Sequence, residues 1–201
     1  MIGAAPLSVP DQLWWYVARS GGIVALLLVG LSVVWGLALS TRLLGGTPPP
    51  AWLLAVHRRL GGLSVSFTAV HVLALLADDY VSFGPTDVLV PLASPWRPGP
   101  VAWGIVAAYL LVAVQISSLL MRRLPRRWWK VIHASSWLVL WTGLVHGATA
   151  GSDAGHPVYV VSMATLGVLT VFLTAYRLTR PRGGRRRDAI AAARAAAAPL
   201  R

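Results

Sequence analysis

The sequence predicts an all-α integral membrane protein: a bundle of about five transmembrane helices, N-terminus outside and C-terminus cytoplasmic. Three observations predict it. Five uncharged runs (21–39, 60–77, 101–121, 131–152 and 157–176) are each close to the roughly twenty residues a helix needs to cross the hydrocarbon layer. Hydrophobic residues make up 56% of the 201-residue chain and charged ones 12%, which excludes disorder and an ordinary soluble core. The links between the runs alternate in charge, which sets their sidedness.

Each run has its own signals. Trp14, Trp15 and Tyr16 precede the first as an interfacial belt. The second extends back to Ala51, just after Pro48-Pro49-Pro50, because proline suits a helix start. Residues 81–100, proline-rich and carrying Trp96, are expected as an external loop dipping into the interface. Trp128 and Trp129 form a belt before the fourth run. The stretch 181–201 is an Arg/Ala-rich cytoplasmic tail, following a membrane domain over 13–180.

One set of links holds Arg42, Arg58, Arg59, Arg122, Arg123, Arg126, Arg127 and Lys130, then the arginines from Arg177 onward. That is sixteen of the eighteen cations. The other set holds Arg19 and Arg97 but five of the six acids, Asp11, Asp78, Asp79, Asp87 and Asp153. By the positive-inside rule the first set is cytoplasmic. The net charge of +12 is therefore an orientation signal, and no nucleic-acid partner is expected. Residues 1–18 carry no cation, which argues against a cleaved signal peptide. The expected location is the plasma membrane (a bacterial inner membrane), multi-pass and in contact with lipid.

Cysteine and glutamate are both absent, so thiolate chemistry, iron–sulfur clusters and cysteine zinc sites are excluded. Metal chemistry is left to histidine and aspartate. Four of the five histidines fall in pairs: His57 and His71 on the second run, His133 and His146 on the fourth. Ionisable groups inside a membrane are costly and default to function. The two helices run in the same direction, so each offers one imidazole at each of two depths, about 20 Å apart at 1.5 Å per residue.

Two imidazoles per level without a carboxylate make a poor zinc or copper site. A heme b at each level, two per chain, fits better, because the ring supplies four equatorial nitrogens and needs two axial ones. Arg58, Arg59 and Lys130 are candidate propionate partners at the inner level and Arg19 at the outer; each also fits the plain charge bias of the links. One feature conflicts with a regular helix. Thirteen residues at about 100° each leave His133 and His146 roughly 140° apart.

The paired histidines, His57-x13-His71 and His133-x12-His146, resemble the ferric reductase-like transmembrane domain of ferric reductases, NADPH oxidases and the heme subunit of methionine sulfoxide reductase systems. Trp15-Tyr16-Val17-Ala18-Arg19, Ser94-Pro95-Trp96-Arg97-Pro98 and Arg122-Arg123-Leu124-Pro125-Arg126-Arg127 resemble bacterial members. The resemblance implies an inner heme on His57 and His133 and an outer one on His71 and His146. Larger members have six helices and continue into a flavin and nicotinamide domain. No Gly-x-Gly-x-x-Gly after a strand occurs here.

The function expected first is transmembrane electron transfer by an oxidoreductase-type heme subunit lacking its own flavin and NADPH domain. Its donor would be a cytoplasmic flavoprotein or a quinol, and its acceptor extracytoplasmic. The alternatives are a quinol-linked heme subunit of a reductase complex, or a heme-free transporter or assembly subunit using the histidines as proton or metal relays. The last is weakened by the lack of acids inside the runs. His156 and the Asp78-Asp79 pair are read as loop and helix-end residues. Nucleophilic hydrolysis is excluded for want of a base and acid beside Ser64, Ser66, Ser117 or Ser118.

Overall fold

Uncharged runs that can satisfy their backbone only internally must be helical in lipid, and helices are the only regular elements among the described residues of the computed structural model. It describes residues 9–41, 43, 51–79 and 81–179. The tail 181–201 lies outside the described residues. The elements are α1 (Val9–Thr41), α2 (Ala51–Ala77), α3 (Pro85–Leu89), α4 (Pro98–Leu119), α5 (Arg126–Ala134), α6 (Ser136–Ala150) and α7 (Pro157–Thr179). Among the described residues there is no strand.

Among the described residues four helices are long and apolar enough to cross a membrane: Gln12–Thr41, Ala51–Ala77, Pro98–Leu119 and Pro157–Thr179. The protein is a multi-pass membrane protein. The remaining expected span, 131–152, is not one helix but α5 and α6 joined through Ser135. There the Ser135 N–H is shared between the carbonyls of Val131 and Ile132, and its hydroxyl donates to the Ile132 carbonyl at 2.6 Å. A serine side chain competing for local carbonyls in this way weakens a regular helix. The segment also starts earlier than expected, at Arg126, where Arg126, Arg127, Trp128 and Lys130 are exposed.

The helices form a four-cornered bundle. α1 packs on α2 and on α6, and α4 packs on α6 and on α2, while neither α1 with α4 nor α2 with α5 or α6 packs closely. The two histidine-bearing segments therefore occupy opposite corners. α7 packs on the outside of α1. The bundle has a basic end, with Arg58, Arg59, Arg122, Arg123, Arg126, Arg127, Lys130 and Arg177, and an acidic end, with Asp78, Asp79, Asp87 and Asp153. Between them lies an aliphatic layer of Leu26, Val29, Val33, Leu111, Val139 and Leu140, closed on the α7 side by Met163 and Leu166.

The expected loop 81–100 is a folded cap. Phe83 packs with Val101 and Ile105, against Leu75, Val81 and Val88, and meets the ring of Trp96 edge-on at 6.0 Å. Within it the short α3 is capped by Gly84, whose N–H donates to Asp87 at 2.8 Å. Arg97, in the left-handed region with φ 43°, ties the cap to the end of α6 through a 2.8 Å bond from Nη1 to the Thr149 carbonyl. The carbonyl end of a helix is where a cation is favoured.

Candidate functional site

All four intramembrane histidines point across the bundle in two pairs. The rings of His57 and His133 lie 5.9 Å apart between centroids near the basic end, and those of His71 and His146 lie 6.3 Å apart near the acidic end. Ring planes are nearly perpendicular in both pairs, at 75° and 73°. The phase conflict between His133 and His146 is resolved at the α5–α6 junction, which lies between them. A single continuous helix lacks that change of phase.

α1 and α4, the other two corners, hold the imidazoles from behind. At the acidic end His71 Nδ1 donates to the Ala18 carbonyl at 2.6 Å, and His146 Nδ1 to the Pro100 carbonyl at 2.9 Å. A carbonyl only accepts, so these nitrogens carry the proton and Nε2 keeps its lone pair. At the basic end the partners are hydroxyls: Ser32 at 3.4 Å from His57 Nδ1 and Ser118 at 3.3 Å from His133 Nδ1. The Ser118 hydroxyl donates to the Val114 carbonyl at 2.7 Å. Toward His133 it is left as an acceptor, again with the proton on Nδ1.

Three of the four rings also lie over a glycine one turn further along. A Cβ on Gly22 would come within 2.9 Å of His71 Nδ1, one on Gly104 within 2.7 Å of His146 Nδ1, and one on Gly36 within 3.1 Å of His57 Cε1. The pairings Ala18 with Gly22, Ser32 with Gly36 and Pro100 with Gly104 are thus the same device: a hydrogen-bond partner, then a missing side chain four residues on. His133 has no such glycine. Instead the indole of Trp129 stacks on it, centroids 5.1 Å apart and planes within 20°.

At the acidic end a cavity of about 420 Å³ opens around His71 and His146, walled by the aliphatic layer below and by cap residues such as Phe83 and Trp96 above. Its mouth carries Arg19, Asp153 and Tyr159. Arg19 lies 4.8 Å over the ring of Trp15 and donates through Nε and Nη2 to Asp153. That double hydrogen bond holds the Asp153 carboxyl below the ordinary carboxylate range. Trp15 lines the cavity, so the expected belt retains only Trp14 and Tyr16 as exposed residues.

Of the other expected residues, Arg19 reaches the cavity, but two of its donors are engaged by Asp153. Arg58, Arg59 and Lys130 are exposed at the basic end. His156 is exposed in the turn before α7, and Asp78 is buried in the cavity wall. Sequence reasoning missed the two carbonyls, Ser32, Ser118, the three glycines, Trp129 and Asp153. One signal was present. Gly22 and Gly36 are fourteen residues apart on α1, the same spacing as His57 and His71 on the antiparallel α2.

The donor set restricts what can bind. Among the described residues no three His or Asp side chains gather to hold a metal ion. Each level brings two imidazoles together. Two imidazoles bonded end-on to one metal at about 2.0–2.1 Å per bond have ring centroids roughly 6 Å apart, as both pairs here do. The residues therefore fit a metal whose remaining ligands come with it in a flat apolar ring, and the cavity is of the size of cofactor pockets.

Comparison with known families bears on the same residues. The family described as ferric reductase like transmembrane component matches residues 21–145. The chain belongs to this family. The match takes in His57, His71 and His133 and ends one residue before His146. The ferric reductase-like family typically binds heme, and membership points to transmembrane electron transfer. No curated protein and no solved structure matches the chain.

Proposed function

We propose that this ferric reductase-like chain is a bis-heme transmembrane electron conduit, with one heme b between His57 and His133 and a second between His71 and His146. The observation that carries the proposal is the repetition, at two depths, of an imidazole pair at metal-bridging separation. A heme bound at each level would be held by His57 and His133 or by His71 and His146 and would supply one-electron chemistry.

The chain's own residues do the rest. Acceptors behind Nδ1 of His71, His146 and His133 fix the imidazole tautomer and raise its basicity as a ligand. The layer of Leu26, Val29, Val33, Leu111, Val139 and Leu140 holds the two levels apart and keeps water from joining them. The cap and the Arg19–Asp153 pair cover the acidic end. By the positive-inside rule the basic end faces the cytoplasm, with the N-terminus outside and the C-terminus inside. Electrons then enter near His57 and His133 from a cytoplasmic flavoprotein or a membrane quinol, and leave near His71 and His146 to an extracytoplasmic acceptor. Arg58, Arg59 and Lys130 form a cationic rim at the entry level, suited to propionates or an acidic donor, and Arg19 is the corresponding cation at the exit.

Purification in detergent from cells with ample heme, followed by oxidised and dithionite-reduced visible spectra, tests this. Two low-spin b-type hemes per chain are expected. A chain that folds and remains heme-free would refute the conduit.

A further inference from the structure

Two observations at the basic end converge on a residue that the sequence pattern assigns to a lipid belt. The first is the stacking of Trp129 on His133, at 5.1 Å and 20°. The second is its indole nitrogen, which is shut off from solvent and has no hydrogen-bond partner among the described residues. Its neighbour Trp128 is different: it is 55% exposed and lies under Arg127, as an interfacial tryptophan should. A buried indole N–H without an acceptor is costly. One lying against a cofactor ligand fits an acceptor that arrives with the cofactor.

We propose that Trp129 is a positioning residue of the inner level: its ring fixes the plane of His133, and its N–H donates to a carboxylate of the heme held between His57 and His133. The inference rests on the bis-heme reading. His133 needs such a hold, since its Nδ1 contact to Ser118 is long at 3.3 Å and no glycine seats its ring. The three cations nearby, Arg126, Arg127 and Lys130, are exposed. A buried neutral donor therefore gives the carboxylate a fixed, desolvated contact, while the cations offer a mobile one. A hydrogen bond to a charged acceptor is the stronger kind, and its loss is expected to weaken binding about tenfold or more.

Two substitutions in the full chain separate the roles. Trp129→Phe keeps a stacking ring and removes the donor. Trp129→Leu removes both. Heme content per chain, the rate of heme transfer to excess apomyoglobin, and the low-spin ferric EPR signals are read for each, with Trp128→Phe as control. Trp129→Phe should speed loss of one heme about tenfold and leave both EPR signals in place. Trp129→Leu should in addition shift one EPR signal, because the angle between the two imidazole planes sets its anisotropy. Trp128→Phe should change neither. If Trp129→Phe retains both hemes as the parent does, the hydrogen-bond role falls. If Trp129→Leu leaves both signals unmoved, the orienting role falls. If the parent chain itself holds no heme, the conduit falls and this inference with it; a two-heme parent with indifferent Trp129 variants overturns the inference alone.

Discussion

The two histidine levels present the same side chain at nearly the same ring separation, yet they are held by different chemistry. At the acidic end both imidazoles bond backbone carbonyls, of Ala18 and Pro100, and sit over Gly22 and Gly104. At the basic end they meet the hydroxyls of Ser32 and Ser118 at longer range, and one is stacked by Trp129. A carbonyl in a helix is fixed by the backbone and cannot be removed by substitution. A hydroxyl or an indole can be altered by one mutation. The level at the acidic end is thus set by the fold, and the one at the basic end is set more by side chains and is open to tuning.

The largest effects are expected at the four histidines, the proposed ligands. His71→Ala or His146→Ala should abolish one heme and spare the level at the basic end, and His57→Ala or His133→Ala should do the reverse, as counted by reduced-minus-oxidised spectra. Loss of both hemes from a folded variant would break the two-level comparison.

Next come the glycines. Gly104→Ala and Gly22→Ala place a Cβ 2.7 and 2.9 Å from an imidazole nitrogen. Overpacking of this kind costs about 1–3 kcal/mol, so heme retention at the acidic end should fall roughly ten- to a hundredfold. Gly36→Ala, at 3.1 Å from a ring carbon, should act on the other level and less severely. Gly62→Ala meets nothing within 4 Å and should leave heme binding unchanged. A Gly36 variant worse than the Gly104 one would reverse the assignment of the tighter seat.

Smaller again is Ser118→Ala, which removes the acceptor behind His133. A lost hydrogen bond of this type costs about 0.5–1.5 kcal/mol. In a spectroscopic redox titration one midpoint should rise, because a less basic imidazole stabilises ferric iron less, and the other should stay. Movement of both would mean that the levels are not held independently.

The smallest effect concerns the mouth. Arg19 depresses the Asp153 carboxyl, so the pair's stabilisation is present above the ordinary carboxylate pKa and is lost as the pH falls through the depressed value. Both groups are partly exposed, and solvent screens the pair. Melting temperature in detergent should therefore fall slightly more between pH 5 and pH 3 in the parent than in Asp153→Asn. Equal slopes would show that the ion pair does not fasten the acidic end.

Legibility from sequence followed the range of the interactions. The apolar runs and the start of α2 at Ala51 were readable because the bilayer imposes one length and one secondary structure. The histidine pairs were readable because their spacing is a single-chain property. The break at Ser135 was not, since 131–152 is uncharged throughout and the competition of Ser135 for the Ile132 carbonyl is a matter of a single turn. The cap over 81–100 escaped because its order comes from Phe83, Trp96 and Ile105 meeting across the chain, which local composition does not encode. Trp128 and Trp129 are adjacent and alike in sequence. One faces outward and the other lies on His133, because neighbouring residues on a helix differ by about 100° in direction.

By itself the sequence determined the solvent this protein folds in, the charge asymmetry between its ends, and the presence of four imidazoles at two depths, all of which follow from hydropathy and helical rise. The tertiary structure alone decided which groups stand behind those imidazoles. Ala18, Pro100 and Ser118 lie between fifteen and fifty-three residues from the rings they hold. Only the packing of α1 and α4 into the remaining corners of the bundle brings a carbonyl or a hydroxyl to the back of each ring, and a missing side chain to three of them.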